Sequence, residues 1–135
     1  MPPSPYEAVS VLVVEDEQNT RKLIKSLLLQ IGIRSVLEAD DGTSGLDAVV
    51  RARPTLIFCD VHMKPMDGRA FLKTLRGLKI RSLAETPVVF LTADAQRDTV
   101  LFAKEHNANG YLVKPMSLTD LKSRIDAVLK VVSPG

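Results

Sequence analysis

Short apolar runs alternate with stretches whose apolar positions recur every three or four residues. Ser10 to Val14 (SVLVV) is a compact β-branched run and reads as a strand. Asp16 or Glu17 can open a helix, with Leu23, Leu27 and Ile31, together with Ile24 and Leu28, as its apolar stripe and Gly32 as its stop. Arg34 to Ala39 predicts a second, weaker strand. Asp41-Gly42 turns the chain into a helix marked by Leu46, Val49 and Val50 and ended near Pro54. Thr55 to Cys59 is a third strand, and Asp67 to Leu78 a helix with Phe71, Leu72 and Leu75 inward. Pro87 to Leu91 is a strand, Ala95 to Asn107 a helix, and Tyr111 to Val113 a short strand. The last helix carries Leu118, Leu121, Ile125, Val128 and Val132 behind a Ser117 cap. The connection from Gly77 to Thr86 (GLKIRSLAET) is the longest irregular piece.

Strands and helices in strict alternation predict parallel βαβ units, an α/β open sheet with helices on both faces. In such a sheet, functional groups gather outside the carboxyl ends of the strands. Those ends are polar here. The first strand runs into Glu15-Asp16-Glu17, the third into Asp60, the fourth into Thr92, and the fifth into Lys114-Pro115.

The bulk properties narrow the setting. The 135 residues suit one domain over 9–132, with a flexible N-terminal tail over 1–8, which holds three prolines, and a C-terminal tail over 133–135. A hydrophobic content of 45% supports a core, and a net charge of +2 gives no case for nucleic acid. The single cysteine, Cys59, lies in an apolar strand and fits a reducing compartment. The N-terminus lacks the basic and apolar regions of a signal peptide, and no apolar run approaches about 20 residues. The expected location is cytoplasmic.

The strand ends also suggest chemistry. Clustered carboxylates repel one another, and a hard divalent cation such as Mg²⁺, which prefers oxygen ligands, is their natural neutraliser. Lys114 is a point charge suited to a carboxylate or phosphate oxygen. A carboxylate beside such an ion can attack phosphorus to give an acyl phosphate, with charge that the ion, Lys114 and the Thr92 hydroxyl can stabilise. Asp60 is the nucleophile in that constellation.

Four motifs, VLVVEDE at 11–17, LIFCDVHMKPMDG at 56–68, VVFLTAD at 88–94 and GYLVKP at 110–115, stand in an order and at spacings that resemble the receiver domain of two-component response regulators. The stretches RKLIKSLLLQIG at 21–32 and LEADDGTSGLDAV at 37–49 resemble the chemotaxis (CheY-type) branch. The resemblance implies a flavodoxin-like (βα)5 fold with strand order 2-1-3-4-5. It makes Asp60 the phosphoacceptor and Glu15 and Asp16, with Asp60 and the His62 backbone carbonyl, the Mg²⁺ ligands. Thr92 and Tyr111 become the switch pair, Lys114 the lysine beside the phosphoryl group, and Lys114-Pro115 a cis bond. It further implies a histidine kinase as donor and a protein target as output, with the flagellar motor switch as one candidate. Output by protein binding, without an attached effector domain, is the expectation, and no enzyme activity beyond self-phosphorylation and autodephosphorylation. A phosphorelay intermediate is the alternative.

Departures and plainer readings stand beside this. Pro65 falls one place late, with Lys64 in its usual slot, and Gly45 replaces a common alanine. Asn107 occupies a position where glycine is frequent and suits a left-handed cap. Asp67 reads as a helix cap, Cys59 as core, and His62 and His106 as surface residues. Lys73, Arg76, Lys79 and Arg81 read as a solvated face. Val100, Leu101 and Phe102 cannot all face inward, so one of them is a candidate for the output surface. A small aspartate-nucleophile phosphatase would want a second Asp where His62 stands. A flavin carrier would want a phosphate cradle where EDEQNT stands, and an unphosphorylated scaffold would not need Asp60, Thr92 and Lys114 together.

Overall fold

The computed structural model describes residues 5–93, 104 and 107–130. Five parallel strands, β1 (Ser10–Val14), β2 (Ser35–Ala39), β3 (Leu56–Asp60), β4 (Val88–Thr92) and β5 (Tyr111–Val113), form one sheet in the order β2-β1-β3-β4-β5. Among the described residues the helices are α1 (Gln18–Ile31), α2 (Gly42–Ala52), α3 (Gly68–Arg76), the short α4 (Arg81–Ala84) and α5 (Leu118–Leu129). The fold class and strand order are those expected. α4 lies in the Gly77 to Thr86 stretch, which the sequence pattern left irregular because one helical turn is too short to show a period. The helix expected over Ala95 to Asn107, together with Val100, Leu101, Phe102, His106 and Val132, lies outside the described residues, apart from Lys104 and Asn107.

Helix ends form where the sequence supplies caps. The Glu17 carboxylate accepts from the Asn19 and Thr20 amides, and Gly32 closes α1 at φ 114°. Asp41 and Ser117 each form a reciprocal capping box, and Asp67 caps α3 by accepting from the Ala70 amide at 2.8 Å. Asn107 takes a φ of 60°, the left-handed conformation anticipated for it.

Strand side chains alternate between two cores. Leu12, Val14, Ile57, Cys59, Val88 and Phe90 face α2 and α3, whose Ala48, Val49, Phe71, Leu72 and Leu75 cover them. Val11, Val13, Leu56, Phe58, Val89 and Leu91 face α1 and α5, covered by Ile24, Leu28, Leu121 and Ile125. Gly45 sits where an added Cβ would lie 3.0 Å from Val14 and 3.1 Å from Phe71, so its smallness admits the sheet and α3 closely.

Three expectations shift. Leu23 is 51% exposed, and α1 buries Ile24 and Leu28 instead, with Leu27 and Ile31 at the margin. Within the stretch read as a loose tail, Tyr6 is only 3% exposed, packs into the α1–α5 core, and donates its hydroxyl to Asp126 at 2.5 Å. Of the basic face, Lys73, Lys79 and Arg81 are exposed, but Arg76 donates to the carbonyls of Ala84, Thr86 and Asn107 at 2.8, 2.7 and 2.9 Å. It pins α3 to α4 and to the segment entering β5.

Candidate functional site

Because all five strands run the same way, their carboxyl ends share one edge, and the polar strand ends meet there. The register places Asp60 beside Leu91 and Thr92 beside Val113. Glu15 and Asp16 leave β1 on the other side of β3. Carboxylate oxygens of Glu15, Asp16 and Asp60 all lie within 4.8 Å of one another. Glu15 and Asp60 are buried at 0% and 5% exposure, while Asp16 is exposed.

Lys114 reaches into the cluster from the end of β5. Its Nζ donates to Glu15 Oε1 and lies 3.4 Å from Asp60 Oδ2. Its amide donates to the Thr92 carbonyl at 2.7 Å, which ties the two strand ends together. The Lys114-Pro115 bond is cis, as expected, and so is Lys64-Pro65, where the loop departs from the usual pattern. Thr92 is 2% exposed, and Tyr111 is half-buried against the α2–α3 core.

The loop after β3 is held by its own backbone. His62 donates its amide to Asp60 Oδ1 at 3.1 Å, and its side chain is exposed. Val61 donates to the Leu91 carbonyl at 3.0 Å, and Gly68 donates to the Val61 carbonyl at 2.9 Å. A Cβ on Gly68 would stand 2.4 Å from the Asp60 carbonyl oxygen, so α3 starts in van der Waals contact with the strand end that carries Asp60. A surface cavity of about 320 Å³ opens beside the cluster, lined by Asp16, His62, Met63, Lys64 and Asp67.

The electrostatics follow from burial. Burial raises Glu15 from its ordinary value, Asp60 beside it adds to this, and Lys114 opposes it. Asp16 is raised by burial and then by Glu15. Burial works to lower Lys114, but Glu15 and Asp60 outweigh it and hold the ammonium above its ordinary value. An all-oxygen carboxylate cluster that carries this mutual repulsion suits a hard divalent cation.

The sequence profile of the response regulator receiver domain matches residues 11–126. The chain belongs to that family. It is 33% identical over 125 residues to the chemotaxis protein CheY of Pseudomonas aeruginosa, covering 93% of this chain and 99% of that one. The solved Vibrio cholerae chemotaxis protein CheY4 is similar with a TM-score of 0.79 at 29% identity, over 92% of this chain and 98% of that one. A signal receiver domain of a histidine kinase from Syntrophus aciditrophicus matches with a TM-score of 0.80 at 28% identity, over 95% of each chain. Receiver domains are elements of two-component signalling, which agrees with the reading of the motifs.

The edge of this receiver domain thus gathers Glu15, Asp16, Asp60, Thr92 and Lys114, with His62 beside them and Tyr111 two residues back along β5, opposite Phe90. Asp94, the last residue of the VVFLTAD motif, lies outside the described residues. One contact escaped sequence reasoning. Arg21, on the first turn of α1, donates from Nη1 to the Glu15 carbonyl at 2.8 Å. Nothing in the local pattern separates it from Lys22 or Lys25, which also pair with Glu38, seventeen residues from Arg21; only the added bond to the Glu15 carbonyl marks it.

Proposed function

We propose that this receiver domain is a phosphorylation switch that accepts a phosphoryl group on Asp60 from a histidine kinase and signals by binding another protein. The observation that carries this reading is the convergence of the three carboxylates with the Lys114 ammonium, 3.4 Å from Asp60 Oδ2. An Asp60 carboxylate oxygen attacks phosphorus, an O–P bond forms, the P–N bond to the donor imidazole breaks, and the imidazole leaves with its electron pair. The cluster's oxygen-only donor set fits Mg²⁺, which Glu15, Asp16, Asp60 and the His62 carbonyl would hold. When bound, the ion supplies positive charge to the transferring phosphoryl oxygens.

The residues of the chain do the rest. Lys114 is anchored by Glu15 and stands next to the attacking carboxylate, so it can follow the new negative charge. The Thr92 hydroxyl turns toward the same charge, and Tyr111 moves into the space it leaves, which alters the surface around β5 and α5. Asp60 acts once per phosphorylation, so the domain is a self-modifying switch rather than a turnover enzyme. Its setting is the cytoplasm, and its similarity to CheY proteins favours a chemotaxis-like output with a motor-switch type of target. A phosphorelay intermediate is the second reading, favoured by the similarity to the receiver domain of a histidine kinase.

Amide NMR with Mg²⁺ and beryllofluoride, a phosphoryl mimic, tests the switch. The unaltered protein is expected to show saturable shifts that extend from residues 60–62 to Thr92 and Tyr111, and Asp60→Asn none. Equal shifts in both proteins refute the reading.

A further inference from the structure

The loop that carries Glu15 and Asp16 is fastened at its backbone from two sides. The Glu15 amide donates to the Ala39 carbonyl at the end of β2, at 3.0 Å. The Glu15 carbonyl accepts from Arg21 Nη1 at 2.8 Å. The same guanidinium donates from Nε to Glu38 Oε1 at 3.2 Å, and Glu38 immediately precedes Ala39 on β2. Arg21 and Glu38 are largely enclosed, with side-chain exposures of 14% and 20%. Three contacts thus close a ring through the β1 end, the first turn of α1 and the β2 end.

Lys22 and Lys25 meet Glu38 as well, at 3.0 and 3.5 Å, but from more open positions. Their ion pairs end on Glu38 and do not reach the Glu15 backbone. The planar guanidinium is what makes the difference. Its Nε and Nη1 donors are held apart in one rigid plane and point at a carboxylate and a carbonyl in fixed directions, whereas an ammonium offers its donors from a single freely rotating atom.

We infer that Arg21 is a positioning residue. It fixes the Glu15 backbone so that the Glu15 and Asp16 carboxylates face Asp60 in a geometry able to hold a divalent cation. This rests on the phosphorylation-switch reading of the site and names a further residue on which that site depends. Partners of metal ligands commonly change affinity by about 10- to 100-fold when removed.

The inference can be separated from simple charge. Arg21 is a cation near an acidic cluster, so Coulomb's law alone says its removal should tighten Mg²⁺ binding. Positioning says the opposite. Mg²⁺ affinity should therefore be measured by calorimetric titration for the unaltered protein, Arg21→Lys, Arg21→Met and Lys22→Met. Fold should be checked by circular dichroism, and the Glu15 and Asp16 amide shifts recorded without metal. Both Arg21 variants are expected to bind Mg²⁺ about tenfold or more weakly, with displaced Glu15 and Asp16 amides, while Lys22→Met binds no more weakly than the parent. Arg21→Lys equal to the parent, or Arg21→Met tighter than it, overturns the positioning role while leaving the switch intact. A variant that loses its fold is decided by the amide shifts of the other, and shifts confined to α1 count against the inference. A parent protein that binds no Mg²⁺ overturns the metal reading itself, and the inference with it.

Discussion

Gly68→Ala is the sharpest test of how α3 and the Asp60 strand end fit together. The new Cβ would lie 2.4 Å from the Asp60 carbonyl oxygen, 2.9 Å from Val61 Cα and 3.1 Å from the Asp60 carbonyl carbon. Ordinary contact starts near 3.4 Å, so the start of α3 and the strand end must separate by about 1 Å. Both sides are backbone, and neither can swing away. Overpacking of this kind costs about 1–3 kcal/mol, toward the upper end when no side chain can yield. The Gly68 amide to Val61 carbonyl bond would stretch, at about 1 kcal/mol. The better helix propensity of Ala returns up to about 1 kcal/mol. The net expectation is a loss of about 3 kcal/mol, and a Tm lower by roughly 10 °C for a chain of this length. Gly42→Ala is the control. Its Cβ would meet Met66 Cγ, Sδ and Cβ at 2.7, 2.8 and 2.9 Å; Cγ and Sδ can swing away, while Cβ needs a small shift of the loop, so the cost should be about 1–2 kcal/mol, below that of Gly68→Ala. Urea unfolding with calorimetric Tm measures both. A Gly68→Ala protein no less stable than Gly42→Ala refutes the tight backbone approach.

Two further outcomes are expected. Tyr6→Phe should lose about 1 kcal/mol in chemical denaturation because the Asp126 hydrogen bond goes, and Tyr6→Ala about 3 kcal/mol because a buried ring goes with it; no loss in either would mean that residues 5–9 do not hold α5 to α1. Burial works to raise Glu38, but Lys22 and Arg21, and then Lys25, outweigh it and hold the carboxyl below its ordinary value. The unfolded chain therefore takes up this proton first as pH falls, so the contribution is whole above the ordinary carboxylate range and is lost as pH falls through the lower folded value. Its size is about 1 kcal/mol, and Glu38→Gln should flatten that part of the pH–stability curve; an unchanged acid slope would contradict the ion-pair ring.

What the sequence made legible follows from the range of the interactions involved. Strand runs, helix caps and the polar strand ends are local patterns, and parallel topology carries each strand end to one edge without further information. Asp67 and Ser117 could be read as caps because a cap is decided within four residues, and Asp41, read as a turn residue, caps α2 as well. The stripe on α1 was harder. Leu23, Ile24, Leu27, Leu28 and Leu29 crowd nearly every side of the helix, so spacing alone does not choose between Leu23 and Ile24 as the buried position. Tyr6, Arg21 and Arg76 were beyond local reading. Each acts through a partner far along the chain: Asp126 for Tyr6, Glu38 for Arg21, Asn107 for Arg76. A proline-rich start and a run of basic residues look solvated until tertiary contacts give them partners.

The most direct measurement on the central claim is to incubate the protein with Mg²⁺ and a small acyl phosphate donor, then locate any phosphoryl group by intact-mass and peptide mass spectrometry. One labile phosphoryl group on Asp60, abolished by Asp60→Asn and by removing Mg²⁺, is the expected result. A phosphoryl group on another residue, or one that persists in Asp60→Asn, contradicts it.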